Sequence, residues 1–440
     1  MTVPSISHSD LPRQTIYDFL KDRPKDRPKL RYNLYKNMKY KDLSGSKIGQ
    51  IPLESVQRIE PFTLRSATDE LAALMMKMAA GAAVLDHALH PKTAAQLAGA
   101  VRIMNCYYSN MIEGHNTRPR EIEQAMNGVF TADPERRNLQ LEARAHVRVQ
   151  QQIDRLHAEG NLPDPTSSSF IRWIHQEFFK DMPDDFRHLE GVEVVPGQWR
   201  AEPPEVAVGQ HQPPSFHRVP EFMDYFEAQY GSIRALEAVR VLAIPAAHHR
   251  LNYIHPFRDG NGRVSRLMSH AMILRAGLGS SGLWSISRGL ARGLNDPTQY
   301  KVMMSGADTQ RQGDFDGRGN LSQRALREFT AWFFRVSIDQ IEFMTEQFEF
   351  RSLSGRLREL VKSEQTVPEQ AVPLLQTVLR EGEVERGDAA GAMGVAERTG
   401  RRIVQQLIDR GLLASDTPKG KLHLEFPQDC LDRLFPRLYV

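Results

Sequence analysis

The sequence contains few of the residues that build covalent or membrane-spanning frameworks. Only two cysteines occur in 440 residues, Cys106 and Cys430, and they lie far apart. This usage fits a reducing compartment and argues against a disulfide framework or a cysteine metal site. The most apolar run, residues 71–85, is too short to span a bilayer and contains Lys77, so it predicts a buried helix. Because no secretory signal is present either, we expect a cytoplasmic protein without a membrane partner.

The chain also has little excess charge, since its formal net charge is only +3. Residues 13–47 nevertheless hold 11 Lys and Arg against 4 Asp, which leaves the remainder near −4. This stretch includes the duplicated unit of "KDRPKDRPK", whose prolines and mixed charges oppose regular structure. We expect residues 1–65 to form a basic arm that is solvated or straps a dimer. A contact with nucleic acid or an acidic partner is the alternative.

The pattern from residue 66 to 345 is mostly helical, and we expect one domain there. Residues 192–214 are the exception, because two valine-rich runs flank a proline-rich turn and predict a β-hairpin. Residues 346–440 have the order helix, short helix, turn, longer helix and two short strands, which predicts a winged helix-turn-helix domain. The predicted fold is therefore mainly α, with a small hairpin and a C-terminal winged helix.

The predicted third helix of the C-terminal domain begins with Arg398, Arg401 and Arg402, where base contacts would lie. Residues 380–421, however, contain 8 basic and 7 acidic side chains, so the segment is barely cationic. DNA binding depends on a positive field. Protein contact or dimer spacing is therefore the favoured role of this domain, and DNA binding is the alternative.

The stretch "HPFRDGNGRVSR", residues 255–266, combines several groups that suit a nucleotide. The Gly-Asn-Gly sequence ahead of a helix lets backbone N–H groups converge at the positive end of the helix dipole, as in an anion nest. Arg263 and Arg266 share one helix face and can bind further phosphate oxygens. Asp259 is a suitable Mg²⁺ ligand, and His255 can accept a proton near neutral pH. Phe257 is expected to point inward and to hold the loop.

Two other interpretations of this stretch are weaker. One is a glycine turn that only caps a helix, but the base, carboxylate, glycines and arginines all occur in register. The other is a zinc site formed by His248, His249 and His255. Their spacing fits no familiar zinc motif, and cysteines do not contribute. Adjacent His248 and His249 should point to different faces of a helix, and one of them is expected to pack beneath the loop.

The residues from 255 to 266 match in full the motif HPFx[D/E]GN[G/K]RxxR, and the sequence therefore resembles the Fic family. The resemblance implies a helical Fic core that transfers AMP from ATP to a protein hydroxyl. It implies that His255 deprotonates the acceptor Ser, Thr or Tyr, and that Asp259 holds Mg²⁺, or Mn²⁺, on the phosphates. The glycine at position 262, where other members have lysine, makes the phosphocholine- and kinase-type members less similar.

The same resemblance assigns the phosphate contacts. It implies that Gly260, Asn261 and Gly262 form the anion hole, that Arg263 contacts the β-phosphate, and that Arg266 contacts the γ-phosphate. The family's adenine contacts correspond to "LNDPTQY", residues 294–300, where Asn295 and Tyr300 are the candidates. The hairpin predicted over residues 192–214 resembles the flap that binds the target backbone by strand addition.

A second resemblance covers "SNMIEG", residues 109–114. Ser109, Glu113 and Gly114 match the family's inhibitory signature [S/T]xxxE[G/N], on a helix expected at about 105–114. Because the signature precedes the main motif, it resembles the group whose inhibitory helix lies N-terminal in the same chain. Ser109 and Glu113 are one helical turn apart, and Gly114 is a suitable helix stop.

These features predict a self-inhibited protein adenylyltransferase that uses ATP with Mg²⁺ or Mn²⁺. Its expected acceptors are Ser, Thr or Tyr hydroxyl groups of unidentified target proteins, with the protein itself as a further candidate. A homodimer is expected from the family. One alternative is the removal of AMP at the same site, with Glu113 positioning a water. The other is a transcriptional regulator that binds DNA through the winged helix and senses nucleotide through the Fic core.

Overall fold

Helix formers and capping residues recur along most of the chain, and the computed structural model is accordingly mainly helical with small sheets. It describes residues 55–189, 191–231 and 237–439, so most of the predicted arm, residues 1–54, lies outside the described residues. The α-helices are α1 (Asp69–Asp86), α2 (Pro91–Ile112), α3 (Pro119–Met126), α4 (Pro134–Ala158), α5 (Ser168–Phe179), α6 (Asp184–Arg187), α7 (Val219–Gly231), α8 (Glu237–Ile254), α9 (Asn261–Arg275), α10 (Ile286–Arg292), α11 (Gln299–Ala307), α12 (Gln323–Phe348), α13 (Phe350–Ser363), α14 (Val372–Glu381), α15 (Ala389–Met393), α16 (Glu397–Asp409) and α17 (Gln428–Leu434).

Local signals explain where several helices begin and end. Thr68 accepts a hydrogen bond from the N–H of Leu71 at the start of α1, and Asp133 caps α4 in the same way through Arg136. Gly160 follows α4 with φ 70°, a left-handed conformation that suits a glycine at the end of a helix. Helix α8 continues through Pro245, although proline inside a helix removes one backbone hydrogen bond.

The site lies where α8 leads into α9, two helices that are largely buried. Residues 242–250 of α8 are all buried, and α9 buries residues on every side, including Val264, Leu267 and Ala271. A helix that is surrounded on all sides has a fixed orientation. The first turn of α9 is therefore held firmly by the core, which is what a preorganised site requires.

Helix α1 is less buried than its apolar sequence predicted. Leu71, Met78 and Leu85 face the core, but Met76 is 74% exposed and Val84 is 60% exposed. The alanines between them make the run apolar overall, although a small side chain can remain in water at little cost. No single helix within the described ranges is long and apolar enough to cross a membrane. Helices α1 and α2 reach that length and apolar content only when taken together, and the chain bends by 114° between them.

The hairpin predicted over residues 192–214 does not form as predicted. The paired strands are β1 (His188–Leu189), which lies before that range, and β2 (Val192–Glu193), which lies at its start. Val194 turns into the core, and Val208 makes only a single bridge to His211. The physical reason is the proline content of residues 196–214, because proline cannot donate a ladder hydrogen bond. Arginine side chains, described below, bind the carbonyl groups of this loop instead.

The C-terminal residues contain the elements that were predicted for a winged helix. Helices α14, α15 and α16 are accompanied by an antiparallel sheet of β3 (Glu383–Val384), β5 (Leu422–Leu424) and β4 (Leu413–Ala414), in that order. Arg398, Arg401 and Arg402 are exposed on α16, and Arg401 lies 3.8 Å from Glu397. The assignment as a winged helix stays a prediction, as do the domain boundary near residue 346 and DNA binding.

This C-terminal segment contacts α2 near both of its ends. Lys92 lies 3.1 Å from Asp416 near the start of α2. Near the other end, the buried Tyr108 hydroxyl donates a hydrogen bond of 3.1 Å to the carbonyl oxygen of Leu438. The helix that carries the predicted inhibitory residues is thus anchored to the last residues of the chain.

Candidate active site

The loop from His255 to Gly260 is held by an aromatic stack and by one asparagine. Phe257 is fully buried and stacks on His175 with ring centroids 3.9 Å apart, which confirms its predicted inward orientation. The Asn261 side chain accepts from the Phe257 N–H and donates to the Phe257 carbonyl, both at 2.9 Å. Asn261 therefore clamps the loop to the first turn of α9.

Gly260 is the N-cap of α9 and has φ 79°, a conformation that L side chains rarely adopt. A Cβ atom here would also lie 2.6 Å from the ring of Phe179. The position thus requires glycine for two independent reasons. Its left-handed backbone begins a helix whose first N–H groups have no side-chain cap, which is the arrangement predicted for an anion nest.

His255 is held in a strained backbone conformation at the edge of this loop. Its φ of 51° is uncommon for a residue other than glycine. The His255 carbonyl accepts a hydrogen bond of 2.8 Å from Arg200 Nε. Burial, followed by the charges of Arg200 and His211, lowers the pKa of His255 to about 3. The imidazole is therefore neutral at physiological pH and can accept a proton.

Arg200 and Arg258 fasten the proline-rich loop against the site, and the sequence analysis did not identify either residue. Arg200 is buried, and its guanidinium donates a hydrogen bond to the carbonyl of Pro214. Its backbone N–H donates to the carbonyl of Pro256 at 2.9 Å. Arg258 donates to the carbonyl of Pro204 at 2.5 Å. In the sequence, an arginine beside prolines or apolar residues does not indicate which carbonyl groups its side chain will bind.

Glu113 lies directly against the predicted anion nest. A methyl group on Gly262 would collide with Glu113 Oε1, so this carboxylate oxygen contacts the Gly262 backbone. Arg266 Nη2 donates to the same oxygen at 2.6 Å. Burial alone would raise the pKa of the Glu113 carboxyl, but Arg266 and Arg263 outweigh it and lower the pKa. An ionised carboxylate therefore lies where the sequence predicted phosphate.

Ser109 completes the contact with Arg266. Its hydroxyl accepts from Arg266 Nε at 2.9 Å, and its carbonyl accepts from Nη2 at 3.1 Å. Glu113 is the C-cap of α2, and Gly114 follows with φ 85°. The N–H of Gly114 bonds to the carbonyl of Met111, and the N–H of His115 to that of Asn110, the two bonds of a Schellman motif. The predicted helix stop at Gly114 is thus confirmed.

Arg263 is bound by acidic side chains rather than left open. Its guanidinium forms an ion pair with Glu142 of α4 and lies 3.3 Å from Asp259 Oδ2. Glu142 in turn lies 2.9 Å from His115 Nδ1. Burial would raise the pKa of Glu142, but Arg263 and His115 lower it to about 2. Glu142 was not identified from the sequence, because it lies about 120 residues before Arg263 within an ordinary amphipathic helix.

The two adenine candidates differ in their surroundings. Tyr300 is buried, and its hydroxyl lies 2.8 Å from His248 Nε2. Burial raises the pKa of Tyr300 to about 12; Arg266 opposes this rise and Glu113 adds to it. Asn295 is exposed in the loop before α11. The contact of either residue with nucleotide stays a prediction.

The histidines considered for zinc contact different elements. His248 Nδ1 lies 2.9 Å from the hydroxyl of Ser269 on α9, whereas His249 Nε2 lies 3.1 Å from the carbonyl of Met304 on α11. Both are buried, where one was expected to be. Within the described residues, no group of three or more His, Cys, Asp or Glu side chains is placed to hold a metal ion.

Asp259 is the carboxylate that fits Mg²⁺ at this site. Its side chain is 35% exposed beside the first turn of α9, and Oδ1 accepts from the Gly260 N–H at 2.7 Å. Mg²⁺ commonly takes only one or two protein carboxylates and completes its shell with phosphate and water. A single carboxylate at the edge of an anion nest therefore suits an ion that arrives with a nucleotide.

Comparison with known proteins identifies the region around this site. Residues 165–273 match the Fic/DOC family model. The chain is 38% identical over 90 residues to protein adenylyltransferase Fic of Aedes aegypti and 39% identical over 92 residues to that of Drosophila erecta. Each match covers 20% of this chain and 17% of the relative, so the chain matches less than a fifth of the length of these relatives.

Two solved structures are also similar to this protein. A Fic family protein from Desulfovibrio desulfuricans is 16% identical, with a TM-score of 0.46, over 82% of this chain and 98% of that one. A Fic-domain signalling protein from Bacteroides thetaiotaomicron is 19% identical, with a TM-score of 0.48, over 63% of this chain and 96% of that one. On the family model and the sequence relatives, residues 165–273 match the Fic/DOC family, and the chain is distantly similar to protein adenylyltransferase Fic.

Proposed function

We propose that this protein transfers AMP from ATP to the hydroxyl group of a protein and that Glu113 restrains the reaction. Fic family members are nucleotidyltransferases that generally use ATP and Mg²⁺. The observation that carries the proposal is the contact of the Glu113 carboxylate with both Gly262 and Arg266. A carboxylate held there by a charge-assisted hydrogen bond supports a site that suits anionic oxygen.

In the proposed reaction, the acceptor hydroxyl oxygen attacks the α-phosphorus of ATP. The bond from this phosphorus to the α,β-bridging oxygen breaks, pyrophosphate leaves, and an AMP ester forms. The hydroxyl proton moves to a neutral ring nitrogen of His255, whose low pKa leaves it unprotonated. The N–H groups at the start of α9, with Arg263 and Arg266, stabilise phosphate charge. Mg²⁺, when bound at Asp259, neutralises charge on the phosphate oxygens.

Labelled ATP tests the proposed function directly. The Glu113→Gly variant, incubated with Mg²⁺ and a heat-inactivated lysate, should transfer label to protein from ATP labelled at the α-phosphate but not from ATP labelled at the γ-phosphate. His255→Ala in the same background is the matched control and should transfer little of either label. Protein labelled from the γ-phosphate would make the enzyme a kinase instead, and no label from either would refute transfer.

A second candidate is removal of AMP from a protein, and the state of Glu113 favours it. This carboxylate is ionised, and its side chain is 31% exposed within the site, so it can accept a hydrogen bond from an attacking water. A protein already carrying AMP, incubated with the parent enzyme, should then release free AMP. The Glu113→Gly variant should fail in that assay, because the group that orients the water is missing.

A further inference from the structure

Glu142 is a carboxylate with no access to water. It lies in the middle of α4, and its side chain is 0% exposed. Its two oxygens face Arg263 Nη1 and His115 Nδ1, the latter at 3.1 and 2.9 Å. A buried carboxylate is stable only when cations or donors compensate it. Glu142 therefore holds Arg263 as firmly as Arg263 holds Glu142.

The remaining contacts of Arg263 leave it little freedom. Its guanidinium carbon lies 4.9 Å from the ring centroid of Phe178, and Nη2 lies 3.3 Å from Asp259 Oδ2. The side chain is 3% exposed. An arginine on the surface would sample many rotamers, and ordering it on binding would reduce affinity. Here that ordering is complete before any ligand arrives.

The two arginines of the motif thus have acidic partners of opposite character. Arg266 is paired with Glu113, which is the last residue before Gly114 at the end of α2 and is 31% exposed. Arg263 is paired with Glu142, which is fully buried in a helix of 25 residues. A helix end can move at small cost, whereas the middle of a packed helix cannot. Glu113 can therefore give way to an incoming phosphate, but Glu142 cannot.

We propose that Glu142 is a positioning residue that aims Arg263 at the phosphates of the nucleotide, in contrast to Glu113, which competes with them. The inference rests on the proposed function in assuming a nucleotide site at the start of α9. It assigns the two carboxylates opposite effects on ATP binding. Removal of Glu113 should strengthen ATP binding, and removal of the charge on Glu142 should weaken it.

A comparison of ATP with adenosine separates positioning from a general structural role. In the Glu113→Gly background, Glu142→Gln keeps the shape of the side chain but removes its charge. Binding of ATP should weaken by about ten- to a hundredfold, the size of a lost hydrogen bond to a charged group. Adenosine has no phosphates, and its dissociation constant, measured by NMR titration, should stay the same within about twofold. Equal weakening of both ligands, or unchanged ATP binding, would overturn the inference.

Two further measurements guard against a misfolded variant. Glu142→Asp retains the charge but withdraws it by one methylene, so it should show an intermediate loss of ATP binding with adenosine unaffected. The second is the NMR titration of the His115 ring. Burial lowers the pKa of His115, but the hydrogen bond and charge of Glu142 raise it above its ordinary value. Glu142→Gln should bring this pKa down, and an unchanged value would contradict the contact.

These measurements also distinguish failure of the inference from failure of the proposed function. Binding is measured without AMP transfer. A protein that binds ATP in a Glu142-dependent manner but labels nothing would refute the transferase and leave the positioning role intact. A protein that transfers AMP but binds ATP equally well with and without the Glu142 charge would refute the positioning role and leave the transferase intact. Absence of ATP binding in the Glu113→Gly background would refute both.

Discussion

Glu113 and Arg266 join the end of one helix to the beginning of another. Oε1 of Glu113 accepts from Arg266 Nη2 at 2.6 Å and also touches the backbone of Gly262. The same guanidinium is bound to the hydroxyl and the carbonyl of Ser109. A phosphate oxygen and this carboxylate cannot share that face of the arginine. Under the proposed function, Glu113 would therefore compete with a nucleotide phosphate for Arg266.

Replacement of Glu113 by glycine should increase the proposed transfer of AMP. A hydrogen bond to a charged group contributes about 1.5–3 kcal/mol, and each 1.36 kcal/mol is tenfold in rate. We therefore expect self-labelling with AMP to increase about ten- to a hundredfold. Arg266→Ala should decrease labelling, since it removes the expected phosphate contact as well as the partner of Glu113. The double variant should behave like Arg266→Ala, and a Glu113→Gly protein no faster than the parent would refute the inhibitory role.

Replacement of His255 by alanine should abolish transfer but not ATP binding. A positioned general base contributes roughly 10²–10⁴-fold, whereas His255 is assigned no phosphate contact. Single-turnover labelling and calorimetric titration with ATP measure the two properties separately. Because the pKa of His255 is about 3, the base should stay available down to about pH 4. A parental rate in the alanine variant would show that another group takes the proton.

The part of the site that could be predicted from sequence is the contiguous part. Residues 255–266 carry the loop, the glycines and both arginines within about three helical turns, so their local geometry follows from their order. The residues predicted to be inhibitory could be recognised for the same reason, since Ser109, Glu113 and Gly114 share one helical turn and its stop. Their pairing with Arg266 could be expected because the charges are opposite and each segment matched a motif.

The remaining contacts depend on tertiary structure that no local pattern encodes. Glu142 looks like any polar residue of an amphipathic helix until α4 packs beside α9. Arg200 likewise gains its role only when its loop folds over the His255 carbonyl. The hairpin was misplaced because valine content was weighted above proline content, and β-propensity depends strongly on its surroundings. The alanine-rich α1 was judged too buried for a similar reason.

Activity should require Mg²⁺ or Mn²⁺ and should be lost in Asp259→Ala. Two arginines and the N–H groups of one helix end carry too little positive charge to neutralise a triphosphate. Labelling by the Glu113→Gly variant should stop in excess chelator and return when Mg²⁺ is restored. Asp259→Asn is the matched control, because it keeps the size of the side chain but lacks its charge. Full activity of either variant, or in chelator, would exclude this role of Asp259.

The unfolding free energy should fall as the pH drops from about 6.5 towards 5. Burial lowers the pKa values of His146, His175 and His248 to about 3, whereas the unfolded chain has a value near 6.5. Between these values the unfolded state binds protons that the folded state does not, so each group removes up to about 1.4 kcal/mol per pH unit. His115 acts in the opposite direction, because its pKa is raised. Denaturant unfolding at several pH values measures the slope.

His146→Leu is the matched control for this pH dependence. Both ring nitrogens of His146 lack a hydrogen-bond partner within the described residues, so leucine loses no such bond. The variant should retain its fold and show a slope smaller by about one proton. Equal slopes for the parent and the variant would mean that His146 is not neutral in the folded protein. A stability that is constant between pH 7 and 5 would contradict the whole set.

Tyr108→Phe should weaken the anchorage of α2 to the end of the chain. The substitution removes the buried hydrogen bond from the Tyr108 hydroxyl to the Leu438 carbonyl and leaves that acceptor without this donor. We expect the unfolding free energy to fall by about 1–3 kcal/mol. Lys92→Ala, which breaks the ion pair with the exposed Asp416 at the other end of α2, should cost about 0–1 kcal/mol. Comparable losses in the two variants would show that the buried bond has no special weight.

The Tyr108→Phe variant also tests whether this anchorage helps to hold Glu113 in its contact with Arg266. Tyr108 is followed directly by Ser109, so a looser helix end should hold Glu113 less firmly against Arg266 and Gly262. Self-labelling by Tyr108→Phe should therefore exceed that of the parent. In the Glu113→Gly background the substitution should have no such effect, because the competing carboxylate is already gone. An equal increase in both backgrounds would mean that Tyr108 acts on the site by a route other than Glu113.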